Sequence, residues 1–321
     1  MKLSEMDNRR MNSLCDIDSK VYWLPIITGY IFQCISEYMN KKEFQYVKTP
    51  LLNPVVTAKD INIHVQYGVE ELELSSSNAL HLGALAAIYS KVYSITTAFR
   101  NEHFSQKNHL TEFELLEAEW IESNENTLME FIEELIMYAA NCYNTFLTEK
   151  NIIDIFPIAD IVCPFEHLKY DDIPRFCDRK GVNMMADDHG FYDNSITHML
   201  DKPCWITYYP PKASWRAKRQ DIKHSYAFNL ILPTGYGELV ECSIRETNPD
   251  IIAKKFKTAK IGQELEWYIR AAIINPAPRC GFGLGIERLC KWFTQTSNIA
   301  DTQAFPRIPE YFGGNENVTK F

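Results

Sequence analysis

The stretch "SYAFNLILPTGYGELVECSIRE" (225–246) sets the first constraint on the fold. Two runs rich in β-branched, aromatic and aliphatic residues flank a turn at Thr234–Gly237, the pattern of an antiparallel strand pair. Helical periodicity surrounds it. From Leu24 to Lys42 an apolar stripe (Ile27, Ile31, Ile35, Tyr38, Met39) recurs at helical spacing. "LHLGALAAIYSK" (80–91) and "KIGQELEWYIRAAI" predict further helices, and "NTLMEFIEELIMYAANCYNTFL" a long one opened by a Thr127/Glu130 capping box. "VYSITTAFR" alternates as a strand, with Tyr93, Ile95, Thr97 and Phe99 on the core face and Arg100 ending the other, toward a cleft or solvent. "CGFGLGIERLCKWF" reads as a glycine-rich strand running into a helix. The simplest parse is one α+β domain over residues 24–321, an antiparallel sheet flanked by helices, with a flexible arm over residues 1–23.

The chain carries a net charge of −9, the opposite of the balance usual in proteins that bind nucleic acid mainly through phosphates. No apolar run is long enough to span a bilayer, and the polar N-terminus lacks a signal-peptide core. The nine cysteines include no C-x-x-C pair, which fits reduced thiols in a cytoplasm and argues against structural zinc. Gly281, Gly283 and Gly285 form G-x-G-x-G, but Ile286 replaces the last glycine of a dinucleotide fingerprint and no phosphate-loop lysine follows. The mixed cluster "KASWRAKRQDIKH" (212–224) reads as a solvated loop, Lys212 excepted. His64, His189 and His198 read as ordinary polar residues, and Cys242 and Cys280 have no evident base partner for a covalent role.

Three segments appear in order: "YIFQCISEYMNKKEFQYVKTPLL" (30–52), "FRNEHFSQKNHLTEFELLEAE" (99–119) and "GFGLGIERL" (281–289). Together they resemble the three signature motifs of class II aminoacyl-tRNA synthetases, above all the aspartate/asparagine subgroup and its stand-alone asparagine-synthetase-related paralogues. "KPCWITYYPPK", "GELVECSIRE" and "NIADTQAFPR" match lesser landmarks, so the resemblance spans roughly residues 24–308. It implies an antiparallel sheet flanked by helices that binds ATP in a bent form and activates a carboxylate as its adenylate.

The resemblance assigns roles residue by residue. Arg100 would clamp the α-phosphate and the reacting carboxylate, its planar fork suiting the oxygens of the transition state. Glu102 would accept from the adenine amino group, Phe113 would stack on adenine, and His109 and Arg288 would hold the far phosphates. Gly283 and Gly285 would let the backbone approach the nucleotide and present Arg288. Glu238 and Glu241 would take magnesium, although simple strand alternation puts them on opposite faces unless the strand is bulged; Asn229 stands where the family usually has an aspartate.

The substrate half departs from the family. Ser77, Ala79, Gly83, Lys212, Arg245 and Arg279 fall at the family's substrate positions, but Ala79 and Gly83 replace a glutamine and a charged residue. Asn108 replaces an arginine and Arg279 a histidine, and the segment between Pro54 and Tyr67 looks short. Lost side chains imply an opened pocket, and Arg279 a cation that could meet a different carboxylate. Full-length relatives carry an anticodon-binding barrel before the core; with the acidic charge, the short N-terminal arm speaks against tRNA as the acceptor. The expectation is a cytoplasmic, homodimeric ligase using ATP and Mg2+. It would join aspartate, or a modified or peptidyl aspartate-type carboxylate, to ammonia or an amine. Alternatives are dehydration of the product amide to a nitrile, a truncated tRNA synthetase or tRNA-modifying paralogue, and a catalytically silent regulator. Residues of the motif-one helix and Pro50 would lie at the dimer interface.

Overall fold

The computed structural model of the chain describes residues 3–54, 62–102, 106–181, 192–258 and 265–309. Helix α1 (Leu3–Leu14) leads to α2 (Lys20–Lys41), whose N-terminus is capped by the Ser19 hydroxyl accepting from the Val21 amide. Short strands β1 (Gln45–Tyr46), β2 (Leu52–Pro54), β3 (His64–Tyr67) and β4 (Glu70–Leu74) precede α3 (Ala79–Tyr89). Long strands β5 (Lys91–Phe99) and β6 (Glu112–Ile121) then lead to α4 (Glu125–Glu149). The middle of the chain holds β7 (Glu166–Lys169), α5 (Ile173–Arg179), α6 (Asp193–Ile196) and β8 (Cys204–Thr207). After them come β9 (Ala227–Leu232), β10 (Gly237–Ile244), α7 (Pro249–Thr258), α8 (Glu266–Ile274), β11 (Arg279–Gly285) and α9 (Ile286–Thr294).

Eight strands form one sheet in the order β1-β5-β6-β11-β10-β9-β8-β7. Its six middle strands run antiparallel, and β1 and β7 each join an edge in parallel. β2, β4 and β3 form a separate small antiparallel sheet. The pair predicted at 225–246 is β9–β10, central to the main sheet.

Alternation along the central strands divides the main sheet into a core face and a cleft face. The Ile27, Ile31, Ile35 and Met39 stripe of α2 and the Ile132, Leu135 and Ile136 side of α4 pack on Leu116 and Ala118 of β6, Phe282 and Leu284 of β11, and Val240 of β10. Burying this apolar face at about 25 cal/mol per Å² is the main driving force for the α2–α4 layer. Strand β5 is covered on both sides, because α3 packs Leu82 and Ala86 against Val92 on the face expected to be open.

Two expectations need correction. The N-terminal segment is not a loose arm: residues 3–14 are helical, and the Arg10 guanidinium donates to Asp301 Oδ1 at 2.9 Å and to the carbonyls of Asp301 and Gln303 at 3.0 and 2.8 Å. A partly buried guanidinium satisfied by several acceptors holds the helix to the C-terminal part of the fold. Helix α4 starts at Glu125, with Asn124 as its cap accepting from the Asn126 amide, rather than at the Thr127/Glu130 box. Asn is the stronger cap and comes first along the chain.

Candidate active site

The cleft face of the sheet carries Leu115, Glu117 and Glu119 of β6 and the glycine row of β11. Glycine is required at position 281: a Cβ there would lie 2.4 Å from Glu119 Cδ and 2.6 Å from the Ala118 carbonyl oxygen. Removing that side chain lets the Glu119 carboxylate lie flat across β11. Strand β10 is bulged. Glu238 pairs with Ile231 and Val240 with Leu230, so Leu239 is an extra residue, and Glu238 and Glu241 both face the cleft. The alternation problem raised by the sequence is solved by this bulge.

The cleft encloses about 850 Å³, its open mouth included, and Arg100, Glu102, His109, Phe113, Glu238, Glu241, Gly283, Gly285 and Arg288 all line it. Arg100, at the end of β5, lies over the Phe113 ring at 5.4 Å from its centre. Phe113 is half-buried against Leu110, Ile299, Ala300 and Ile308, which gives the ring an apolar backing. His109 Nδ1 is 3.3 Å from Glu102 Oε2. Burial opposes ionisation of Glu102, but the bond to His109 and the charges of Arg100 and Arg288 outweigh it and hold its pKa below the ordinary carboxylate value. Glu102 is therefore an ionised acceptor at neutral pH.

Arg288 opens from the first turn of α9 and donates to the carbonyl oxygens of Glu238 and, at 2.8 Å, Asn108. Asn108 ties three elements together. Its amide donates to the Gly235 carbonyl at 2.7 Å, and its side-chain oxygen accepts from buried Lys291. Asn108 is thus a clasp between the β9–β10 turn, α9 and the loop before β6. Glu287 is buried beside it in sequence to Arg288, accepting from the Glu114 amide at 3.0 Å and from Gln303 Nε2 at 2.8 Å.

Glu238 Oε2 accepts from Asn229 Nδ2 at 2.7 Å. Burial, followed by the nearby charges of Glu241 and Asp193, pushes the Glu238 pKa up to about 8, with Arg288 and Arg100 acting in the opposite sense. Carboxylates crowded in this way are a fitting donor set for a hard divalent cation, whose charge would relieve the repulsion. Among the described residues no group of three or more His, Cys, Asp or Glu side chains is arranged to hold a metal, so the set here is the pair Glu238 and Glu241.

At the other end of the cleft, Ser77 and Ala79 line the wall with Ser76, Glu117 and Arg216. Glu117 is buried; its oxygens accept from Ser77 Oγ at 2.5 Å and from the Asn78 amide at 2.6 Å. Arg245 is buried against Glu119, with Nη2 at 2.7 Å and Nε at 3.0 Å from Oε1, and it also donates to Ser243. Arg216 Nη1 reaches the same Glu119 oxygen at 3.4 Å.

Three substrate expectations fail on geometry. Gly83 does not open space: Tyr268 of α8 fills it, with its Cε2 3.3 Å from where a Cβ would stand. Arg279 does not present a cation to the cleft. Its side chain is fully buried and Nη1 donates to the Asn275 carbonyl at 2.7 Å. Lys212 is exposed and lies outside the cleft lining, although its neighbours Ala213 and Ser214 line the adjoining acidic hollow with Glu238 and Glu241. The 212–224 cluster is only partly a solvated loop: Trp215 packs on Phe256 and Tyr268, and Arg216 enters the cleft.

A family model for tRNA synthetases class II (D, K and N) matches residues 9–309 of the chain. The chain belongs to this class II tRNA synthetase family. The asparaginyl-tRNA synthetase of Pyrococcus horikoshii, solved with asparaginyl-adenylate, superposes with a TM-score of 0.81 at 27% identity, over 90% of this chain and 69% of that one. The Entamoeba histolytica asparaginyl-tRNA synthetase, also with asparaginyl-adenylate, gives 0.80 at 22% identity over 90% and 67%. The Entamoeba histolytica aspartyl-tRNA synthetase shares the fold, with a TM-score of 0.78 at 20% identity over 97% and 63%. The sheet and its helices are those of the class II catalytic core, in a family of ligases that activate a carboxylate with ATP.

Within this synthetase core, all nine nucleotide and metal positions expected from the motifs come together in one cleft, as do Ser77 and Ala79 of the substrate set. Arg245 lies beneath it, engaged with Glu119. Sequence reasoning missed Glu117, Glu119 and Arg216. The first two had a readable signal, two carboxylates at i and i+2 inside the apolar strand "ELLEAEW", hence on one face. Arg216 had none, because its loop reads as mixed charge. His189 and most of the segment between Pro54 and Tyr67 lie outside the described residues. Among the described residues no helix is long and apolar enough to cross a membrane.

Proposed function

We propose that this chain is an AMP-forming carboxylate–amine ligase. It activates aspartate, or a modified or peptidyl aspartate-type carboxylate, as an acyl adenylate and passes the acyl group to ammonia or an amine. The observation that carries the reading is the convergence of Arg100, Glu102, His109, Phe113 and Arg288 with Glu238 and Glu241 in one cleft of a class II core. The neighbour solved with asparaginyl-adenylate supports the first half-reaction.

In the first step a carboxylate oxygen attacks the α-phosphorus in line and the bond to pyrophosphate breaks. Arg100, in the lining of the cleft, supplies a fork of donors to oxygens that gain charge in the transition state. Ionised Glu102 accepts from the adenine amino group, and Phe113, backed by its apolar cluster, takes the ring face. Glu238 and Glu241 would hold magnesium, which when bound supplies positive charge to phosphate oxygens. In the second step the amine nitrogen attacks the acyl carbon, AMP leaves with the acyl–oxygen electron pair, and the amine proton passes to water. Positioning and charge stabilisation suffice, so no protein nucleophile is needed. The buried thiols Cys242 and Cys280, both pushed to high pKa by burial, take no part. A homodimer is part of the same reading.

The test is purified protein with ATP, Mg2+ and ammonia against a panel of carboxylates, with and without tRNA, read by mass spectrometry. AMP, pyrophosphate and an amide are expected without tRNA, and the Arg100→Ala variant should lose AMP formation. AMP formed only with tRNA present would instead make the chain a tRNA synthetase paralogue. A product lighter than the amide by one water would extend the reaction to a nitrile. ADP, or no AMP with any acid, overturns the reading. Sedimentation as a monomer at micromolar concentration would overturn the dimer.

A further inference from the structure

We infer that Arg216 is the specificity-determining cation of the substrate end, gripping a second carboxylate carried by the acid that is activated. The substrate class this implies is dicarboxylic, and the inference rests on the adenylation reading only for what happens to the other carboxylate.

The argument starts from charge and geometry around Glu119. Its carboxylate is 1% exposed and faces two guanidiniums. Arg245, 3% exposed, spends its fork there, with contacts of 2.7, 3.0 and 3.2 Å to Glu119 and a further bond to Ser243. Arg245 is the position that resemblance assigns to the substrate, yet each of its three nitrogens already donates to Glu119 or Ser243 and its side chain is buried. Arg216 has a single side-chain hydrogen bond among the described residues, to Glu119 at 3.4 Å, and at 15% exposure it alone of the two lines the cleft. One carboxylate between two guanidiniums leaves one positive charge over, and the residue that presents it to the cleft is Arg216.

Glu117 acts on the Arg216 charge, but burial raises its pKa above the ordinary carboxylate value and both its oxygens are engaged by Ser77 and the Asn78 amide, so among the described residues it makes no direct bond to Arg216. Arg279 adds a further cation below, covered from the cleft by its bond to the Asn275 carbonyl. The site is also built. The Arg216 carbonyl accepts from the Glu246 amide at 2.8 Å, Ala217 bridges to Arg245, and Lys255 holds the Ala217 carbonyl at 2.9 Å. Trp215 packs at 5.3 Å from the Phe256 ring centre. A guanidinium on a held backbone with donors to spare is preorganised for a planar carboxylate, which it can engage with two parallel bonds. The short side chains of Ser77 and Ala79 line the same cleft and leave width for that second group.

The experiment is isothermal titration of the full chain, without ATP, with L-aspartate, succinate and L-asparagine. Wild type should bind aspartate about 10- to 100-fold more tightly than asparagine, the range of a charge-assisted bond. Arg216→Ala should lose that preference with asparagine binding little changed, Arg216→Lys should keep part of it, and the ATP Kd should not move. Arg216→Gln, which retains a donor to Glu119, serves if the alanine variant does not fold. Wild type that binds asparagine as well as aspartate, or binds no dicarboxylate, overturns the inference. So does a variant in which both ligands weaken equally or neither weakens. Selective aspartate binding with no AMP formed from any acid would sink the ligase reading and leave Arg216 in its role.

Discussion

The Arg100 guanidinium sits over one face of the Phe113 ring, 5.4 Å from its centre. On the proposed reading, a base stacking on that face of the ring would displace the arginine from it. Phosphate oxygens provide a stronger partner than a ring face does.

Phe113→Ala should therefore weaken ATP binding by about 1–3 kcal/mol, the usual worth of base–aromatic stacking, which is roughly 10- to 100-fold in Kd. Phe113→Tyr should retain most of it. Calorimetric titration with ATP checks both, and an unchanged Kd in the alanine variant would remove Phe113 from the nucleotide site.

The Glu119–Arg245 pair is buried with three contacts between 2.7 and 3.2 Å. Arg245→Met should cost about 3–5 kcal/mol, because it leaves a buried carboxylate with only the 3.4 Å contact to Arg216. A Glu119→Met/Arg245→Met double variant should lose less than the two single effects summed. Urea unfolding of the four proteins of this cycle measures the coupling; strict additivity would mean the pair does not interact.

Gly281→Ala should destabilise the fold by about 1–3 kcal/mol or more, since its Cβ would meet Glu119 Cδ at 2.4 Å and the Ala118 carbonyl oxygen at 2.6 Å. Gly285→Ala is the control: its nearest neighbour would be Arg288 Cβ at an ordinary 3.7 Å. Thermal unfolding should separate the two, and equal melting temperatures would count against the close approach of β6 and β11.

Stability should depend on pH through Glu287. Burial raises its pKa from the ordinary 4.5 to about 7, against the bonds from Gln303 and the Glu114 backbone. The folded state then holds the proton more tightly, so the contribution is complete below the ordinary value and is lost as pH rises through about 7. The integrated effect is on the order of 3 kcal/mol. Glu287→Gln should flatten the stability profile between about pH 4.5 and 7, measured by urea unfolding across that range. A wild-type profile with no such decline would refute it.

Much of this molecule was legible in one dimension. The β9–β10 pair, the α2 stripe and the strand-to-helix run at 279–294 follow from periodicity, because alternation of period two and 3.6 is imposed by the backbone itself. The ordered motifs picked out residues that converge in one cleft, since several spacings together are specific where one is not. Other features escaped. The docking of residues 3–14 depends on Arg10 meeting carbonyls nearly three hundred positions away. The bulge at Leu239 breaks the alternation from which Glu238 would be placed.

The sequence by itself determined the α+β class, the synthetase motifs and the set of motif residues that line the cleft. These are encoded in local pattern and spacing. Only the tertiary structure decided what the substrate end is. There, Gly83 opens no space because Tyr268 from a helix far along the chain fills it. Arg279 and Arg245 are drawn inward by the Asn275 carbonyl and Glu119, and Arg216 is left to meet the cleft. A side chain's charge is written at its position, but the partner that consumes or spares that charge is chosen by packing between distant segments.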